Sequence, residues 1–190
     1  MKFLFSIVAA FALCLGAIAQ SPPDPTQPKA DAQLYRNSGF RYRIPYGWVD
    51  RTSEMQESND AAKGEVLLAI FERPPQAAGD TINSAVVIAS EKALPGSKNP
   101  EDYLASITEV TTAQGFKPEG DYSAIEIDSQ RMARGDFSRA LNGKLTMHQS
   151  TLVLLGKGQV VTFTFVAQSA DALDTLIEGL SFSPGKSKAK

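Results

Sequence analysis

Cysteine is all but missing from this chain of 190 residues, and histidine and tryptophan occur once each, as His148 and Trp48. The lone cysteine, Cys14, sits inside an apolar N-terminal run. A domain that begins beyond it can form no disulfide, no zinc–thiolate site and no cysteine nucleophile. Motifs for other chemistries are missing too: no Gly-x-Ser-x-Gly elbow to raise a serine, no phosphate loop, no dinucleotide fingerprint and no calcium loop. Gly156 and Gly158 bracket a hairpin, with no helix behind them to receive a phosphate. Lysine and arginine, 19 against 21 Asp+Glu, form no cluster on any apparent face, which leaves no electrostatic footprint for nucleic acid.

What is present begins with an address. Lys2 is followed by an apolar run from Phe3 to Leu15, then by Gly16 and the small-residue pattern Ala17-Ile18-Ala19 before Gln20. That is the layout of a cleavable secretory signal, residues 1–19. The stretch is at the lower limit of the roughly 20 residues a spanning helix needs. Leu13 stands before Cys14 where a lipoprotein signal carries a small residue. Cleavage would remove Cys14 and, of the charged residues, Lys2 alone, leaving 171 residues with 18 Lys+Arg against 21 Asp+Glu and a net charge of −3. Residues 20–32 hold four prolines and little apolar surface, and read as a disordered spacer. Residues 33–184 read as one domain, and 185–190, with Lys186, Lys188 and Lys190, as a basic disordered tail.

Most of the domain alternates at period two, the mark of strands. The runs are Phe40–Ile44, Val66–Phe71, Ile82–Ala89, Ala124–Asp128, Gln130–Ala140, Lys144–Leu155 and Gln159–Ala167. Two segments change to helical spacing. Asn99 is placed to cap a helix with Pro100 at its first position and a Leu104, Ile107, Val110/Thr111 stripe, ending near Gly115. Ser169 opens a second, with Leu173, Leu176, Ile177 and Leu180. Hairpin-linked strands with helices inserted between them predict an α+β fold: an antiparallel sheet of six or seven strands covered by helices on both faces.

Turn chemistry gives a register for the last three long strands. Asn142-Gly143 suits a two-residue type I′ turn, which places Phe137 opposite His148, Gly135 opposite Ser150 and Ala133 opposite Leu152. A three-residue loop at Gly156-Lys157-Gly158 then puts Val166, Thr164 and Thr162 on that same face. Small residues there (Ala133, Gly135, Ser150, Thr164) form a trough fit to receive a helix. The opposite face carries Met132, Val153, Val161, Phe163 and Phe165 around polar Arg134, Asp136, Gln149 and Thr151. Polar groups beside two large aromatics resemble the lining of a small cleft, so Arg134, Asp136 and Gln149 are the candidate ligand-binding residues. The ordinary alternative is that their stems cover the rings while their ends reach solvent.

His148 lies mid-strand, where packing is the simpler role. Glu126 and Asp128 project to one face of a strand; this is glycosidase-like chemistry on paper, and equally the solvated side of any amphipathic strand. Arg41 and Arg43 share a face near Tyr46, suited to gripping an anion or to pairing with strand acids such as Glu126 and Asp128.

The segment from Tyr35 to Trp48 (YRNSGFRYRIPYGW) resembles the opening of the PsbP-like domains, where an aromatic strand runs into a Pro-x-Gly-Trp turn. That fold is shared with a Ran-binding nuclear import factor and with DcrB-like envelope proteins. The later order of helix, strand series, closing helix and final Phe182 is similar as well, over roughly residues 34–183. The resemblance implies an antiparallel sheet between helices and a non-enzymatic binding or assembly role. It carries over no functional residue, since the matched positions are turn and core residues. The expectation is a periplasmic or secreted module with no catalytic centre and no cofactor. Its partner would be an envelope protein or small ligand, and it would meet the membrane only through its signal. Two other classes stay open: a small envelope hydrolase using acidic residues, and a structural envelope component.

Overall fold

The computed structural model describes residues 33–59, 64–74, 76–77, 79–93, 98–141, 143–156 and 158–182. The expected signal sequence (1–19), spacer (20–32) and basic tail (185–190) lie outside the described residues. In chain order the elements are β1 (Leu34–Arg36), β2 (Phe40–Arg43), β3 (Val49–Asp50), α1 (Thr52–Ser58), β4 (Glu65–Phe71), β5 (Ala85–Lys92), α2 (Pro100–Ala113), β6 (Lys117–Pro118) and β7 (Ser123–Ile127). There follow β8 (Gln130–Leu141), β9 (Leu145–Gly156), β10 (Gln159–Ala167), α3 (Ala170–Ile177) and β11 (Leu180–Phe182). The main sheet is antiparallel and eight-stranded, in the order β3-β4-β5-β10-β9-β8-β6 with β7 also on β8; β1, β2 and β11 form a separate three-stranded sheet. The α+β expectation holds. The strands it lacked are the ones of two or three residues, too short to show a period.

Burial divides the main sheet into two covered faces. On one, the small sheet and α3 close over the principal core, where Phe163, Phe165, Leu152 and Met132 meet Tyr42, Leu173, Leu176 and Phe182. Phe40 stands edge-on to Phe163 at 5.2 Å and Phe182 does the same at 6.1 Å, the geometry that aromatic quadrupoles favour. On the other face α2 lays Tyr103 and Leu104 over Ala133, Val153 and Val160. Met55 of α1 packs beside Val66, Ala69 and Phe71. A Cβ on Gly135 would come within 3.2 Å of the Leu104 side chain, so the trough expected at Ala133 and Gly135 is filled by α2.

The derived register is off by one at both hairpins. Leu141 pairs with Leu145, leaving Lys144 exposed in a three-residue connection, and Gln159 pairs with Gly156, leaving a two-residue one. The two slips cancel between β8 and β10, so only β9 is turned over. Gln149, Thr151 and Val153 move to the α2 face, and His148, Ser150 and Leu152 to the α3 face. The cause is apolar pairing: Leu141 and Leu145 join one cluster of the α2 face and Leu155 opposite Val160 another, where the derived pairing set Leu141 against Lys144 and Leu155 against Gln159. That gain outweighs the preference of Asn-Gly for a two-residue turn.

Ser169 caps α3, its hydroxyl accepting from the Ala172 amide at 3.2 Å. The Asn99 side chain makes no cap bond, and Pro100, Glu101 and Asp102 form the start of α2 instead. Helix α1 has no buried residue. Its side chains meet β4 beyond the two residues that β3 pairs: Thr52 Oγ1 accepts from Ala69 N at 3.0 Å and Gln56 Nε2 donates to Val66 O, while Asn59, just past the helix, donates from Nδ2 to Gly64 O at 2.8 Å.

Candidate functional site

Strand β2 buries Phe40 and Tyr42 inward, then leaves the sheet through Pro45-Tyr46-Gly47-Trp48, a turn that Gly47 permits with φ +79°. Trp48 packs against the principal core but is only half-buried. Between this turn and the end of α3 runs a groove of about 330 Å³, walled by Ile44, Pro45 and Trp48 on one side and Thr175, Leu176 and Glu178 on the other. Its floor is fixed. Tyr42 donates its hydroxyl to Leu176 O at 3.0 Å, and a Cβ on Gly179 would meet the Tyr42 ring at 3.1 Å. Burial pushes the Tyr42 phenol well above its ordinary range, so it stays a neutral donor. Arg43 also lines the groove, so a cation and the Glu178 carboxylate share a mostly apolar hollow.

Arg43 belongs as well to a charged surface that the sequence reading missed. In the small sheet Tyr35, Tyr42 and Leu180 align and point inward, while Leu34 and Arg36 of β1, Arg41 and Arg43 of β2 and Ser181 of β11 form the outer face. Arg36 is directly opposite Arg41. The expectation of no basic cluster is corrected here: β1 is three residues long and gave no period, so Arg36 was not seen to join the other two. The expected pairing of Arg41 and Arg43 with Glu126 and Asp128 is not found among the described residues; Asp128 Oδ2 instead accepts from Phe182 N at 2.9 Å.

The three residues expected to line a cleft are not brought together. Arg134 and Asp136 are on the α3 face, where Arg134 Nε meets Asp136 Oδ1 at 3.0 Å and Arg134 Nη2 meets Asp174 Oδ1 of α3 at 2.9 Å. Burial works against the Arg134 charge, but the hydrogen bonds and charges of Asp136 and Asp174 outweigh it and raise its pKa. Gln149 is on the α2 face, buried, donating to Thr151 Oγ1 at 3.2 Å. The aromatic wall is taken as well: Phe163 and Phe165 are covered by Phe40, Tyr42 and Phe182.

His148 is across from Ser138, not Phe137, and its Nδ1 is 3.5 Å from Glu119 Oε2. A serine, a histidine and a glutamate are thus near one another. Ser138, however, is in mid-strand, where the ladder uses the backbone amides that an oxyanion hole would require. Asp128 and Ser129 have positive φ, +48° and +64°, in the two-residue turn between β7 and β8, so Asp128 is not on the strand face that Glu126 occupies. The carboxylate with the largest departure is Glu91 on β5, opposite Val160, where burial raises its pKa to about 7. No grouping of three or more His, Cys, Asp or Glu suited to a metal occurs among the described residues. None of their helices is long and apolar enough to cross a membrane.

An eight-stranded antiparallel sheet covered on one face by helices, and on the other by a helix and a three-stranded sheet, defines the class as an α+β sandwich. The fold is the PsbP-like one. The solution structure of cyanobacterial PsbP from Synechocystis matches it with a TM-score of 0.52 at 16% identity, over 86% of this chain and 98% of that one. The crystal structure of LpqN, involved in cell envelope biogenesis of Mycobacterium tuberculosis, matches with a TM-score of 0.47 at 21% identity, over 78% of this chain and 87% of that one. No family description and no curated protein matches the sequence.

Proposed function

We propose that this chain is an exported, non-catalytic binding or assembly module of the cell envelope, periplasmic or secreted, that receives its partner in the groove between the Pro45–Trp48 turn and α3. The observation that carries this reading is the groove itself. Apolar walls from Ile44, Trp48 and Leu176 supply contact area, Arg43 and Glu178 supply orientation, and Tyr42 and Gly179 hold both sides rigid. Tyr46, 67% exposed at the tip of the turn, adds an aromatic of the kind that anchors interfaces. Support for export is the N-terminal signal layout. Against the acid-based hydrolase stands Asp128, engaged with the β11 backbone.

The test is affinity capture from the native envelope fraction with the exported domain, beside Trp48→Ala and Glu178→Lys variants. A partner retained by the parent and released by both variants supports the groove. Equal capture by all three sinks it. Turnover of a glycoside or ester panel, abolished by Glu126→Gln, would replace the proposal with the hydrolase.

A further inference from the structure

The outer face of the small sheet is more basic than the chain that carries it. The whole sequence has a net charge of −2, yet Arg36, Arg41 and Arg43 occupy one side of two adjacent strands, with no carboxylate bonded to them among the described residues. Like charges directly across a strand pair destabilise it, so the Arg36–Arg41 pair is held at a cost to the fold. Glu178 lines the groove together with Arg43. Leu34, across from Arg43, is 39% exposed in the same face. The chain leaves this sheet from β11 and carries Lys186, Lys188 and Lys190 within the next eight residues.

We propose that this face docks on the surface of a bilayer containing anionic lipid. The inference goes beyond the binding-module reading; it shares Arg43 with the groove, while Arg36 and Arg41 belong to this face alone. A strand face with cations spaced along and across it offers, at Arg36 and Arg41, no pocket to fix one peptide register. It fits a laterally mobile layer of phosphates, each offered a guanidinium fork. Leu34 adds an apolar contact at the headgroup boundary. The domain's negative remainder turns the other faces away from such a surface.

The experiment is co-sedimentation of the exported chain with phosphatidylcholine vesicles, with and without phosphatidylglycerol. Binding is expected only with phosphatidylglycerol, and is expected to weaken as salt is added. Joint Arg36→Gln, Arg41→Gln and Arg43→Gln substitution should weaken it roughly a hundredfold, with an unchanged or higher thermal midpoint. Lys186→Gln, Lys188→Gln and Lys190→Gln together should weaken it less. Trp48→Ala should leave it unaltered, which separates this face from the groove. The proposal is overturned if the parent ignores anionic vesicles, if the arginine variant binds as the parent does, or if the lysines alone account for binding. Preferential binding of polyglutamate would assign the face to an acidic protein, and release by millimolar inorganic phosphate to a free anion; either outcome overturns it too.

Discussion

Arg134 of β8 reaches across to Asp174 of α3, joining the closing helix to the sheet by a 2.9 Å ion pair while a second contact holds Asp136 at 3.0 Å. The arginine is mostly shielded, its side chain 19% exposed, and Asp174 is far more open. Arg134→Ala should therefore cost about 1–2 kcal/mol, and Asp174→Ala under about 1 kcal/mol, in urea unfolding. Equal losses would mean that the pair contributes nothing through Asp136.

Gly135 is a contact surface for Leu104. An alanine there would press its Cβ to 3.2 Å from two Leu104 methyl carbons. We expect Gly135→Ala to destabilise the domain by about 1–3 kcal/mol. Adding Leu104→Val should return part of that loss, although Leu104→Val alone should be destabilising. Additive losses in the double variant would show that the helix does not rest on this glycine.

Glu91 sets a pH dependence. Its folded pKa of about 7 is above the ordinary 4.5, so it makes no difference to stability below 4.5, where both states are protonated. As pH rises through 4.5 the unfolded chain ionises first, and the folded state loses ground until the pH passes 7. Thermal midpoints should fall across that window in the parent, and Glu91→Gln should flatten this part of the curve. A variant with the parent's slope would assign the effect to other groups.

Export should leave Gln20 at the N-terminus, free or cyclised, in intact-mass measurements on protein from the native host. A lipid-bearing species beginning at Cys14 would overturn the signal assignment.

The long elements were legible because their apolar periods are long. Leu173, Leu176 and Ile177 spell out α3, and Phe163 and Phe165 place β10 with its faces correctly assigned. The candidate cleft was not legible, because β9 is apolar on both sides and either orientation buries something. Turn chemistry then became the deciding signal, and it pointed to Asn142-Gly143. Among the described residues, a two-residue turn with both residues at positive φ is formed by Asp128 and Ser129, a pair with no glycine. Asp128 tolerates that backbone, and its side chain also accepts from Phe182 N, 54 residues away, a bond that no local reading supplies. The arginine face was hidden for a related reason: Arg36 meets Arg41 only after β1 folds back through Asn37-Ser38-Gly39.

Helix α1 has a further consequence, for solubility. Beyond the two residues that β3 pairs, β4 displays at the sheet margin hydrogen-bonding groups that a strand from another molecule can copy, the first step towards cross-β stacking. With Thr52, Gln56 and Asn59 engaging Ala69, Val66 and Gly64, the template is occupied by side chains of the same chain. A domain without cysteine is thereby protected from its own sheet margin, by a helix that contributes no buried residue to the core.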